Sequence, residues 1–109
     1  MSYYTPDRWV MLEITRADKE PIRKIFAGWY GGFLSGNSWR LNSGVTNIRM
    51  DDEGHYEFDG YSGSTYCCHA NNYHMSSLMQ GVLANWLKEL DNREGYGIKI
   101  LELEQVVVS

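Results

Sequence analysis

Long hydrophobic runs are missing from this 109-residue chain, and none of its apolar stretches approaches the roughly 20 residues of a membrane-spanning helix. The opening Met1-Ser2-Tyr3-Tyr4-Thr5-Pro6-Asp7 has neither the basic nor the apolar segment of a secretory signal. The chain is therefore expected to be neither exported by that route nor membrane-bound. Cysteine is equally scarce. The two present, Cys67 and Cys68, are adjacent, and neighbouring strand residues point to opposite faces, which disfavours a disulfide between them. Two free thiols and no disulfide framework indicate a reducing cytoplasm. Internal repeats, low-complexity segments and linkers are also absent, so residues 1–109 are expected to form one domain, the usual unit being roughly 100 to 150 residues.

Aromatic residues, by contrast, are abundant: eight Tyr, four Trp and three Phe. Each buries roughly 150–250 Å² when enclosed, which helps a small core. The net charge of −4 is unevenly distributed. Residues 1–50 carry seven Lys/Arg against four Asp/Glu, and residues 51–109 carry three against ten. An acidic second half repels nucleic acid and steers towards basic partners.

Arg8 to Thr15 is rich in strand formers, and a polar stretch ending at Pro21 follows it. Ile22 to Tyr30 fits either period, and its β-branched and aromatic content favours strand. Gly31 to Ser38 reads as a glycine-rich loop. Trp39 to Asn42, Val45 to Met50, His55 to Tyr61 and Thr65 to His69 read as a meander of short strands, joined by turns such as Asp51-Asp52-Glu53-Gly54 and Ser62-Gly63-Ser64. Met75, Leu78, Met79, Val82, Leu83, Trp86, Leu87 and Leu90 recur at helical spacing, so an amphipathic helix is expected, with Ser77 and Gln80 in capping-box positions. Gly97 to Val108 reads as a last strand. The expected architecture is α+β: a single antiparallel meander sheet of about five to six strands with the helix packed on one face.

The motifs that carry chemistry fail at their key positions. Gly31 to Ser38 has P-loop glycine spacing, but Asn37 stands where the phosphate-binding lysine must be. Gly60-Tyr61-Ser62-Gly63-Ser64 approaches a nucleophile elbow, yet its fifth residue is Ser64 and no helix is expected to follow. Cys67, Cys68, His69 and His74 form the one soft-ligand cluster. Strand alternation sends Cys67 and His69 to one face and Cys68 to the other, so Cys67, His69 and His74 are the most that could share a metal, and the default is a buried cysteine beside surface histidines. Accordingly no cofactor and no catalytic residue is expected. The acidic hairpin Asp51, Asp52, Glu53, Glu57 and Asp59 lacks calcium-loop spacing and reads instead as a surface for a Lys/Arg-rich partner. Among the aromatics, Trp9, Phe26, Phe58 and Trp86 are assigned to the core. Tyr3, Tyr4, Trp29, Tyr30, Phe33, Trp39, Tyr61 and Tyr73 exceed what one core needs, and Tyr30, Phe33 and Tyr61 join the acids as the expected partner-binding set. Val106-Val107-Val108 could pair two copies through an edge strand. Direct nucleic-acid binding through Arg16, Lys19, Arg23 and Lys24 is disfavoured by the acidic balance.

The segments Gly28-Trp29-Tyr30-Gly31-Gly32, Trp39-Arg40-Leu41-Asn42-Ser43-Gly44-Val45, Gly60-Tyr61-Ser62-Gly63-Ser64 and Cys68-His69, spread over residues 28–87, resemble small uncharacterised accessory proteins of tailed bacteriophages and prophages. The resemblance transfers no residue role. It implies a viral accessory protein in a bacterial cytoplasm, of the kind that binds and blocks a host protein such as a defence factor, as anti-CRISPR inhibitors do. A non-enzymatic binding protein that occupies a basic host surface is thus the expected function. A metal- or thiol-dependent protein centred on Cys67, Cys68, His69 and His74 is the alternative, with a nucleic-acid-binding protein behind it.

Overall fold

The computed structural model describes residues 2–30 and 38–106. In chain order its elements are Tyr3–Tyr4 (β1), Arg8–Arg16 (β2), Lys19–Trp29 (β3), Ser38–Leu41 (β4), Val45–Met50 (β5), His55–Gly60 (β6), Thr65–His69 (β7), Ser77–Leu90 (α1), Gly97–Ile100 (β8) and Leu103–Val106 (α2). The α+β class is as expected, but the strands make two sheets of four, ordered β1-β7-β6-β5 and β4-β3-β2-β8, rather than one of five to six. All pairings are antiparallel except that of β1 with β7.

The separation originates at Asn42. Its backbone N–H donates to Ile25 O at 3.0 Å, and its side-chain Oδ1 accepts from Ile25 N at 2.8 Å and Gly44 N at 3.3 Å. A side chain thus finishes the β3–β4 ladder, and Gly44, at φ +130°, redirects the chain into the other sheet. A Cβ on Gly44 would lie 2.7 Å from the Tyr61 ring and 2.8 Å from Ile22 Cδ1. What resembles a short meander connection is a strand switch.

The β4-β3-β2-β8 sheet is the middle of three layers. Trp9 and Met11 of β2, with Ile25 and Ala27 of β3, face Phe58, Tyr66 and Cys68 of the other sheet, while Val10, Leu12 and Phe26 face Met79 and Leu83 of α1. Each fully buried aliphatic or aromatic side chain here contributes about 1.5–3 kcal/mol. Trp9, Phe26 and Phe58 are fully buried as expected, and Trp86 packs on Phe26 and Trp39 at ring separations of 5.1 and 5.3 Å.

Helix α1 begins one residue before the expected box: Ser76 is the N-cap, its Oγ accepting from Met79 N at 3.1 Å. The last strand stops at Ile100, far short of Val108. Tyr73 explains why: its hydroxyl donates to Leu101 O at 2.6 Å and accepts from Met11 N at 3.0 Å, after which the chain coils into α2 and buries Val106 completely. Val106 is therefore core, not a pairing edge; Val107 and Val108 lie outside the described residues.

Candidate functional site

The β5–β6 hairpin joins its strands through residues 51–54, as the sequence indicates, and its acids divide into two groups. Asp51 is a turn staple. Its Oδ1 accepts from Glu53 N at 2.8 Å and His55 N at 3.0 Å, and its Oδ2 lies 3.1 Å from His55 Nδ1. The His55 backbone N–H first, and then that of Glu53, hold its carboxyl below the usual carboxylate range. Asp59 is bound to the Arg49 guanidinium and accepts from the Thr65 hydroxyl at 2.8 Å and the Asn47 amide at 3.4 Å. These contacts, Arg49 foremost, bring its carboxyl down to about 2. Glu57 accepts from Arg49 Nε at 3.4 Å and from the Tyr3 hydroxyl at 3.0 Å. Hydrogen bonding to Cys67, and then to Glu57, raises the Tyr3 phenol above its ordinary value. Three of the five acids are thus held by neighbours. Among the described residues, only the Asp52 and Glu53 carboxylates project from the hairpin without a side-chain partner.

Along the other face of β5 runs a groove of about 620 Å³, lined by Pro21, Ile22, Val45, Ile48, Met50 and Tyr61, with Glu13, Arg23, Thr46 and Asn47 as its polar wall. Met50 and Tyr61 are 63% and 69% exposed. Among the described residues strand β5 is the outermost of its sheet, with β6 on one side and no strand hydrogen-bonded on the other. Its hydrogen-bonding direction follows from the turn. Asp51 N bonds His55 O, so by antiparallel alternation Arg49 and Asn47 bond to β6, while the N–H and C=O groups of Ile48 and Met50 point away from it. An unpaired strand edge, an apolar groove and an acidic turn therefore follow one another along the hairpin.

The remaining expected residues scatter. Tyr61 joins the groove, Tyr30 lies elsewhere on Arg8 at the end of β3, and Phe33 falls outside the described residues. Tyr73 is a structural tyrosine rather than a surface one. Cys68 is buried, and burial raises its thiol pKa well above the ordinary value, which suits an inert core residue. Cys67 and His69 share the outer face of the sheet; His69 Nδ1 accepts from Asn71 N at 3.0 Å, and its ring stacks edge-on to His55 at 4.7 Å. His74 stands exposed before α1. Cys67, His69 and His74 are not brought together. Among the described residues the one group able to converge on a metal is Asp51, Glu53 and His55, whose ligand atoms lie within 4.8 Å, and there the Asp51 carboxylate already serves the turn. Arg16 donates to Glu20 O, and Arg23 pairs with Glu13 at 3.4 Å and donates to Gln105 O, so these basic residues are engaged internally.

Two features have only faint signals in the sequence: Ile48 and Met50 place two apolar side chains on one face of a strand that runs into three acids, and Arg8 is a cation in phase with Val10 and Leu12 on an apolar face. Compared with family models, with curated proteins and with solved structures, the chain has no match in any of the three. No described helix is long and apolar enough to cross a membrane.

Proposed function

We propose that the protein is a non-enzymatic binding module that receives an extended segment of a partner protein along the outer edge of β5. The observation that carries this reading is the unpaired edge beside a 620 Å³ groove. Strand addition supplies main-chain hydrogen bonds, and alternate apolar side chains of the partner enter between Ile22, Ile48, Met50 and Tyr61. The hairpin carries five acids against one arginine over residues 45–60, and Asp52 and Glu53 at its tip favour a partner with Lys or Arg beyond the docked segment. A host protein is the partner the phage resemblance implies; one with a basic surface fits the acidic tip, and covering that surface would inhibit it.

Affinity capture from a bacterial lysate tests the reading with three forms of the protein. Ile48→Pro removes the outward N–H but leaves the β5–β6 ladder, because proline is tolerated where the N–H faces solvent. Asp52→Lys with Glu53→Lys reverses the tip. We expect the native chain to retain a partner that Ile48→Pro holds at least about tenfold more weakly and that the reversed tip loses mainly at low salt, where screening is least. Circular dichroism confirms that both variants are folded. Equal retention by all three forms, or none by the native form, overturns the proposal. Dimerisation in sedimentation velocity that is abolished by Ile48→Pro would assign the edge to a second copy instead.

A further inference from the structure

Arg8 is a buried cation with no anion paired to it among the described residues. Its side chain stands in phase with Val10 and Leu12 on the α1 side of the middle sheet, opposite Gly28, and the residue is only 7% exposed. The Nε and Nη2 atoms are enclosed and have no hydrogen-bond acceptor. The guanidinium carbon lies 3.4 Å from the centroid of the Tyr30 ring, which covers one face of the fork and supplies a cation–π contact but no acceptor. The neighbouring carboxylate does not help: Asp7 Oδ2 accepts from Tyr30 N at 2.7 Å. Burial of an unpaired charge is costly, and proteins ordinarily pair it or let it bind.

The surroundings favour negative charge. A Cβ on Gly28 would lie 3.4 Å from Arg8 Cγ and 2.4 Å from Met79 Sδ, so the arginine stem and the side chain of Met79, in the first turn of α1, lie over the same glycine. That turn contains no acidic residue to neutralise the positive end of the helix. The ring on the face of the fork is open to solvent on its other side. Tyr30 is 61% exposed, and its hydroxyl has no hydrogen-bond partner among the described residues.

We propose that Arg8 anchors a binding site for an oxyanion, a carboxylate or phosphate group, at the Nε–Nη2 edge of its guanidinium, with the Tyr30 ring stacked on one face of the fork. Two parallel N–H groups of the fork match two oxygens of either group. The site is independent of the β5 edge.

The test titrates inorganic phosphate and, separately, acetate into the purified chain at constant ionic strength set with sodium chloride. It follows the thermal midpoint and the Arg8 Nε–Hε resonance. In the native chain one of the two anions should raise Tm saturably, by about 5 °C at tenfold above its Kd, and shift the Nε–Hε resonance with the same midpoint. The anion that succeeds tells phosphoryl from carboxylate ligands. Arg8→Met, which removes the unpaired charge and keeps the apolar stem, should melt no lower than the native chain in chloride and should lose the response. Arg8→Lys keeps the charge without the fork and should bind at least tenfold more weakly. Should neither anion move the native Tm or the Arg8 resonance more than chloride does, the site does not exist. Should Arg8→Met fail to fold, the native resonance and Arg8→Lys still decide.

Discussion

Asp59 shows how a single exposed carboxyl can report on the hairpin. Its ordinary value lies near 3.8, and Arg49, Thr65 and Asn47 lower it to about 2. Between those values the unfolded chain binds a proton that the folded chain does not, so acid favours unfolding. The contribution is complete above the unfolded value and disappears as the pH falls through about 2. Urea midpoints measured from pH 5 to pH 2 should therefore fall more steeply for the native chain than for Asp59→Asn, and the two curves should converge at the acid end. Parallel curves would show that the Arg49 contacts do not persist in solution. The acids were legible in the sequence as a cluster, but the register that sets Arg49 opposite Glu57 is fixed by the Asp51 N–H bonding His55 O, one step inside the four-residue connection. Their availability was not legible. Whether a carboxylate is free depends on whether Tyr3, Thr65 and Asn47, distant or on other strands, reach it.

Helix α1 combines two contributions of different origin. Its cap is local: Ser76 Oγ satisfies Met79 N, and Ser76→Ala should lower stability by about 1 kcal/mol. Its packing is tertiary: Leu83 is buried against the sheet, and Leu83→Ala should remove about 2–4 kcal/mol. Chemical denaturation of both variants checks the ratio. A Leu83→Ala loss no larger than that of Ser76→Ala would mean that the helix is only loosely docked. The eight-residue apolar stripe made the helix readable before any coordinates, but of that stripe only Met79 and Leu83 are buried while Leu78 and Leu87 are exposed, and the start is off by one because Ser76 and Ser77 are equally good caps locally. The choice between them depends on how Met79 lies against Gly28, which has no side chain to obstruct it. The last strand is a similar case. Alternating apolar residues continue past Ile100, but the Tyr73 hydroxyl and the space that Val106 fills terminate it.

Across the whole molecule, the middle sheet is enclosed by the other sheet on one side and by α1 on the other. Amide hydrogens of β2 from Val10 to Leu12 should thus exchange only on global unfolding, while those of β5 that face outward, Ile48 and Met50, should exchange orders of magnitude faster. Comparable protection in both strands would mean that the β5 edge is covered in solution. The α+β class, the order and type of most elements, the hairpin turn at residues 51–54 and the existence of α1 all follow from local pattern, because hydrophobic period and turn chemistry act within a few residues. The division into two sheets, the open edge along β5 and the unpaired charge of Arg8 do not. Each depends on which backbone and side-chain groups meet across long stretches of chain: Asn42 with Ile25, Ile22 with Gly44 and Tyr61, and Arg8 with Tyr30. A strand pattern states which residues face inward, but only packing determines what they face.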